Sequence, residues 1–400
     1  MRLPRAPRSR GGSYNACIMM NALSRYSSRA DTVAAGMLAA LMMLAAAACE
    51  RAEPEQERPD PQAAQADEAQ PPQDDDRDLD VPEPPQGPPE ADYVDMDAFE
   101  SIELTVGDDP WTLEAILARP RGEADVPGIV LVHGLGPHDR DSQIDGNRPF
   151  RDIAHGLASR GIAALRYDKR THAYPERFER EIDRPTTRHK TIEDALAAVD
   201  VLAEQEGVDP DRVYLAGHSL GGMLAPRIAA EDDRIAGIIM LAPPARPLEE
   251  VLFEHQRFQM ATQGVPEAQR QQQIEQTEAR IERIQSDELE PDTPGHELML
   301  NLPGSFWLDL RAYDAHATAA ELTRPLLLIH GAADDTVTDA DWRLWRQVLD
   351  DAGHAELVRL EGINHMLTRS PGPLGAPPRG GHVDEAVIDR IADWIDAAAE

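Results

Sequence analysis

Five short apolar runs constrain this chain more than any other feature. They cover residues 128–132, 162–165, 213–216, 237–241 and 326–329, and none contains a charge. Runs of that length and character fit strands buried on both faces of a sheet. Between and after them, residues 150–159, 192–206, 223–230, 339–351 and 383–398 repeat their apolar positions at helical spacing. Residues 356–360 read as a last strand nearer an edge. Residues 103–106 and 111–117 alternate apolar and polar around Gly107-Asp108-Asp109-Pro110, which predicts an antiparallel hairpin leading the domain. Alternating strands and helices predict an α/β fold, with a mostly parallel sheet, right-handed crossovers and flanking helices on both faces. One region breaks the rhythm. Residues 247–318 carry a long Gln/Glu/Arg-rich helical pattern between two core strands, with Phe253, Phe258, Met260, Phe306 and Trp307 set into it. It is too long for a connection and predicts a helical cap insertion; a solvated helix pair is the alternative.

The first quarter of the chain has a different character. Residues 1–48 hold six arginines against one acid, Asp31, and then run uncharged from Thr32 to Ala48. A basic stretch, an apolar stretch and small residues before a cut predict a signal peptide over residues 1–48, and the uncharged run itself is shorter than a comfortable membrane span. A start at Met19 or Met20 would give a signal of more usual length. Leu44-Ala45-Ala46-Ala47-Ala48-Cys49 resembles a bacterial lipoprotein lipobox, with alanine at position 46 where leucine is usual. That resemblance implies lipidation of Cys49 and an exported bacterial protein anchored in the cell envelope; a plain signal peptide and a soluble periplasmic or extracellular product is the alternative. The other cysteine, Cys17, lies in the segment to be removed, so no disulfide is expected. Residues 49–95 are Pro-, Gln- and acid-rich and predict a disordered tether ahead of a domain over 96–400. A net charge of −34 disfavours nucleic acid and anionic lipid as partners, leaving the lipid anchor as the expected membrane contact. Lys169 and Lys190 are the two lysines; every other basic side chain of this type is arginine.

Gly217-His218-Ser219-Leu220-Gly221 joins the third apolar run to a helical stretch. A serine on a sharp strand-to-helix turn is the nucleophile elbow of the α/β-hydrolases, which this chain resembles. The fold implied is the α/β-hydrolase fold. A serine nucleophile needs a base, a carboxylate to orient that base, and donors for the developing oxyanion. In that family the order along the chain is serine, acid, histidine. After residues 326–329 come His330-Gly331-Ala332-Ala333-Asp334-Asp335-Thr336-Val337, and Asp334 resembles the family's acid in its Gly-x-x-Asp-x-x-Val setting, with Asp335 as its rival. The last strand runs into Asn364-His365, which makes His365 the expected base. His354 and His382 read as surface residues, His316 precedes the acid, and His133 reads as a brace for its own loop. The resemblance implies an oxyanion hole from the backbone amides of Leu220 and Leu135.

A narrower resemblance covers about residues 93–398. LVHGLGPHDRD at 131–141, Asn147-Arg148-Pro149-Phe150, Leu165-Arg166-Tyr167-Asp168-Lys169-Arg170, the elbow GHSLGGMLAPRIA and Phe306-Trp307-Leu308-Asp309-Leu310 are similar to secreted bacterial carboxylesterases of the dienelactone-hydrolase-like branch. It implies a serine carboxylesterase acting on small acyl esters, with neither metal nor organic cofactor. Leu135 stands where that branch commonly has serine. Asp139, Arg140, Asp141, Tyr167, Asp168 and Arg170 belong to the same pattern and are expected to form an ion-pair network that fixes loops; lining the pocket is the alternative. A thioesterase or peptidase would use the same three residues. A lipid-anchored binding protein without turnover has no physical need of them, and no His-Glu-x-x-His or cysteine cluster supports a metal-dependent hydrolase.

Overall fold

The computed structural model describes residues 89–122, 125–370 and 380–398. The expected signal peptide, Cys49 and most of the expected tether lie outside them. Among the described residues no helix is long and apolar enough to cross a membrane.

An eight-stranded sheet runs in the order β1-β2-β4-β3-β5-β6-β7-β8. The leading hairpin is β1 (Phe99–Val106) with β2 (Leu113–Pro120), and β2 also pairs antiparallel with β4 (Ala163–Tyr167). All other pairings are parallel, through β3 (Val126–Val132), β5 (Val208–His218), β6 (Ile235–Leu241), β7 (Leu326–Gly331) and β8 (Ala355–Leu360). The five apolar runs are therefore the five strands β3 to β7, as their lack of a polar face requires. β2 starts two residues later than the alternation predicts. Trp111 leaves the strand to lie under two guanidinium groups, Arg170 and Arg177, each 5.2 Å from its ring.

Successive side chains of a strand serve opposite faces, and each face has its own core. Ile129, Leu131, Ala216 and Ile329 pack with helices α1 (Pro149–Ala158) and α10 (Glu385–Ala397). Val130, Val132, Leu215 and Leu328 pack on the other face. There they meet α3 (Glu193–Ala203), α4 (Leu220–Ala229) and α9 (Asp339–Leu349). A helix α2 (Pro175–Glu181) and a π-turn at Arg188–Ile192 precede α3. Between β6 and β7 come α5 (Leu248–Thr262), α6 (Glu267–Gln285), α7 (Gly304–Arg311) and α8 (Ala315–Glu321). The insertion is not one unit. Phe306, Trp307 and Ala319 of α7 and α8 are fully buried in the core they share with α4, whereas α6 buries only Thr277 and Ile284.

The packed chain begins before residue 96, where the composition had placed the end of the tether. Ala91 is buried, and the Glu90 carboxylate lies 2.9 Å from His155 Nδ1. The Tyr93 hydroxyl donates to the Val383 carbonyl at 2.8 Å. Tyr93 and Val94 also pack against the core beside α1 and α10, so a few apolar side chains seat a segment that is otherwise polar.

Candidate active site

Ser219 stands between β5 and α4 with φ 54° and ψ −121°, a left-handed backbone that a side chain adopts only when its surroundings impose it. Two close approaches impose it here. A Cβ on Gly217 would lie 2.2 Å from the Gly221 carbonyl oxygen, and one on Gly221 would lie 2.4 Å from that of Val132. Both glycines are needed for β5 to turn directly into α4 beside the end of β3. Ser219 itself is pinned by its N–H, which donates to the Leu241 carbonyl at 2.8 Å.

The residues expected as acid and base, Asp334 and His365, follow the ends of β7 and β8. Asp334 follows β7 in a turn that its own side chain ties: Oδ1 accepts the N–H groups of Thr336 (2.9 Å) and Val337 (2.8 Å). Its other oxygen, Oδ2, lies 2.9 Å from His365 Nδ1. An ionised carboxylate only accepts, so Nδ1 carries the hydrogen and Nε2 is left as a lone-pair acceptor. Burial pushes Asp334 toward its neutral form, but the His365 charge and hydrogen bond outweigh it and the pKa is lowered. Burial likewise pushes His365 down, and Asp334, with Asp335 and Asp341 farther off, reverses that and holds its pKa above the ordinary value. The loop carrying His365 is laced by Asn364, whose Oδ1 accepts from the amides of Met366 and Thr368.

His218 joins the two halves of the site. Its Nε2 donates to the His365 carbonyl at 2.8 Å, and the two rings sit 4.9 Å apart. Burial, with the nearby His365, lowers its pKa to about 3, so it is a neutral prop. Sequence reasoning passed over it as the variable position of the motif. Nothing in one sequence distinguishes that histidine from a filler.

The loop after β3 closes the site from the other side. A Cβ on Gly134 would lie 3.1 Å from the Ser219 Cβ, so this backbone runs directly alongside the serine. His138 donates to the Leu135 carbonyl at 2.7 Å, and buried His133 donates to the Asp139 carbonyl at 3.0 Å. Leu220 is the first residue of α4, so its amide has no acceptor within the helix. The arginines of the nearby motifs are held by carboxylates. Arg166 holds Asp141 at 2.9 Å, Arg140 takes Glu114 at 2.7 Å, and Arg170 takes Asp194 at 2.5 Å. His354 bonds the Ala319 carbonyl and His316 packs on Trp345, each away from Ser219's loop. His382 is not simply a surface residue, because its Nδ1 lies 3.2 Å from the buried carboxylate of Asp152.

Residues 129–374 match the alpha/beta hydrolase family. The esterase EstD of Thermotoga maritima is 40% identical over 309 residues, which covers 76% of this chain and 69% of that protein. The chain belongs to the alpha/beta hydrolase family. A shorter match, 32% identical over 131 residues, relates it to the quorum-quenching protein AidA of Acinetobacter baumannii, covering 32% of this chain and 39% of that protein. Among solved structures, an acylaminoacyl peptidase in complex with Z-Gly-Gly-Phe-chloromethyl ketone superposes with a TM-score of 0.50 at 18% identity. It covers 75% of this chain and 41% of that one, a likeness of fold alone. As an alpha/beta hydrolase, the chain has its strand C-terminal ends where members of such open sheets bind ligands. Ser219, Asp334 and His365 all follow those ends.

Proposed function

We propose that this hydrolase is a serine carboxylesterase that cleaves small acyl esters through an acyl-enzyme on Ser219. The observation that carries the reading is the Asp334–His365 pair, 2.9 Å apart with its carboxylate buried, on the loops beside a strained serine elbow. Ser219 attacks the ester carbonyl while His365 Nε2 takes its proton, and His365 then returns that proton to the departing alcohol. Asp334 keeps the imidazole in the required tautomer and stabilises it when charged. The amides of Leu220 and Leu135 receive the oxyanion. Water, activated by His365, then releases the acid. The similarity to an esterase over most of the chain supports ester rather than thioester or peptide bonds as the target.

The helices α5 and α6 serve as a cap over this site. His255 of α5 supports that role, since its Nδ1 lies within 3.1 Å of both the Asp335 carbonyl and the Thr336 hydroxyl in the acid's own loop. The signal-like N-terminus supports export, with Cys49 as the lipidated residue and the acidic stretch behind it as a spacer. Replacing Cys49 with serine should move the protein from the detergent phase to the aqueous phase when bacterial membranes are partitioned. Retention in the detergent phase would contradict the anchor. Hydrolysis of p-nitrophenyl acetate, butyrate and decanoate by the chain and by Ser219→Ala tests the activity itself. Turnover of the short esters that vanishes in the variant is expected; equal turnover by both proteins would sink the reading.

A further inference from the structure

The two lysines of this chain meet beneath the loop that follows β3. Lys169, just past the end of β4, is buried, and with Lys190 it faces a small enclosed gap also lined by His133, Tyr167, Thr191 and Asp194. A buried ammonium is costly unless something near it requires the charge. Its Nζ donates to the Gly134 carbonyl at 2.6 Å, a short bond from a charged donor. Resting on the serine-esterase reading, we infer that Lys169 is a positioning residue of the oxyanion hole, gripping the Gly134 carbonyl so that the Leu135 N–H faces the reacting oxygen.

The inference follows from one peptide plane. The Gly134 carbonyl and the Leu135 N–H are the two ends of a single trans peptide unit, so they point in opposite directions. Holding the oxygen down toward Lys169 turns the N–H the other way. The next carbonyl, that of Leu135, is held by His138 at 2.7 Å, so two successive peptide planes are fixed by side chains. The ammonium also polarises the peptide it grips, which strengthens the Leu135 N–H as a donor in a water-poor site.

The surroundings tune the charge without matching it. Asp194 turns Oδ1 to Arg170, while its Oδ2 has no hydrogen-bond partner among the described residues; that carboxylate favours the Lys169 ammonium. Lys190 opposes it, His133 and His138 are held neutral by burial, and the buried Tyr167 hydroxyl is held protonated. Burial first, and then Lys190, lower the Lys169 pKa to about 7. The grip is therefore charged below neutrality and loses its charge as pH rises through that range.

The test compares the full chain with Lys169→Met, Lys190→Met and Ser219→Ala, reading kcat and KM for p-nitrophenyl butyrate from pH 5.5 to 9.5. Inhibition by butaneboronic acid, which forms a tetrahedral adduct on a serine, reports on the oxyanion hole directly. Lys169→Met should lower kcat by about 10- to 100-fold, less than the loss of a whole oxyanion donor, with KM nearly unchanged. Boronate affinity should fall by a similar factor, and the alkaline loss of activity should disappear. Lys190→Met, by removing the opposing charge, should move the wild-type alkaline limb to higher pH. A folded Lys169→Met with wild-type kcat, boronate affinity and pH profile overturns the inference. If that variant does not fold, an unmoved alkaline limb in Lys190→Met overturns it instead. Ester turnover that survives in Ser219→Ala would overturn the serine-esterase reading and the inference with it.

Discussion

Asp334 divides its work between two oxygens, one binding its own turn and one binding the base. Changing it to asparagine removes the charge and puts an N–H₂ where an acceptor is needed, which leaves His365 in the wrong tautomer for part of its time. Asp334→Asn should therefore lower kcat by roughly 10³- to 10⁴-fold with little change in KM, as steady-state kinetics on a short ester would read. The pH dependence has a definite sign. The base must be neutral, and Asp334 holds the His365 pKa above its ordinary 6.5, so kcat/KM should be lost as pH falls through a midpoint above 6.5. In Asp334→Asn the midpoint should move down, because the charge that raised it is gone. A midpoint that stays where it was would show another group titrating. At this scale Ser219 and His365 stand out in the sequence as candidates because their signals are local: a turn motif and a place in chain order. The Gly-x-x-Asp-x-x-Val setting favours Asp334 over Asp335, and three dimensions supply the physical difference: Asp334 is the one that meets His365. The amides of Thr336 and Val337 draw Asp334 inward, while Asp335 stays partly exposed beside His255.

Among the elements, α9 contributes more than its apolar stripe. Asp341, in its first turn, has a fully buried side chain whose Oδ1 accepts the amides of Ala245 and Arg246, and the Arg246 guanidinium reaches Oδ2 at 2.7 Å. Arg246 continues to Glu254 on α5 at 2.6 Å, so one carboxylate ties the exit of β6, the start of the inserted helices and α9 together. Asp341→Ala leaves the two amides without their acceptor and Arg246 with Glu254 alone, and should cost about 2–3 kcal/mol in urea unfolding, with earlier proteolysis in α5 and α6. A loss within a few tenths of a kcal/mol would mean that this junction is held by packing alone. None of it shows in the sequence, where an aspartate at a helix start reads as an ordinary first-turn acid. The strands were legible for the opposite reason. A segment buried on both faces has no polar positions, so its composition alone marks it. The insertion was legible only as a whole: its polarity does not reveal that α7 and α8 belong to the packed body while α6 is mostly exposed.

At the scale of the whole molecule, the parallel sheet brings the chemistry together. β5, β7 and β8 lie close in one sheet, and residues 219, 334 and 365, far apart in sequence, all follow their C-terminal ends. The domain also keeps a short piece of what composition assigned to the tether. A chain starting at residue 89 should melt several degrees above one starting at 96, which lacks Glu90, Ala91 and Tyr93. The hydrogen bond from His155 lowers the Glu90 pKa below its ordinary 4.5. The carboxylate's share of that difference is therefore present above the ordinary value and fades as pH falls through the lowered one. Equal melting temperatures at neutral pH would return residues 89–95 to the tether. The most direct test of the central claim is to treat the protein with diisopropyl fluorophosphate, follow ester hydrolysis, and map the adduct by peptide mass spectrometry. One adduct per chain on Ser219, formed in step with loss of hydrolysis, is the expected result. Hydrolysis that persists when Ser219 is fully modified would contradict the account.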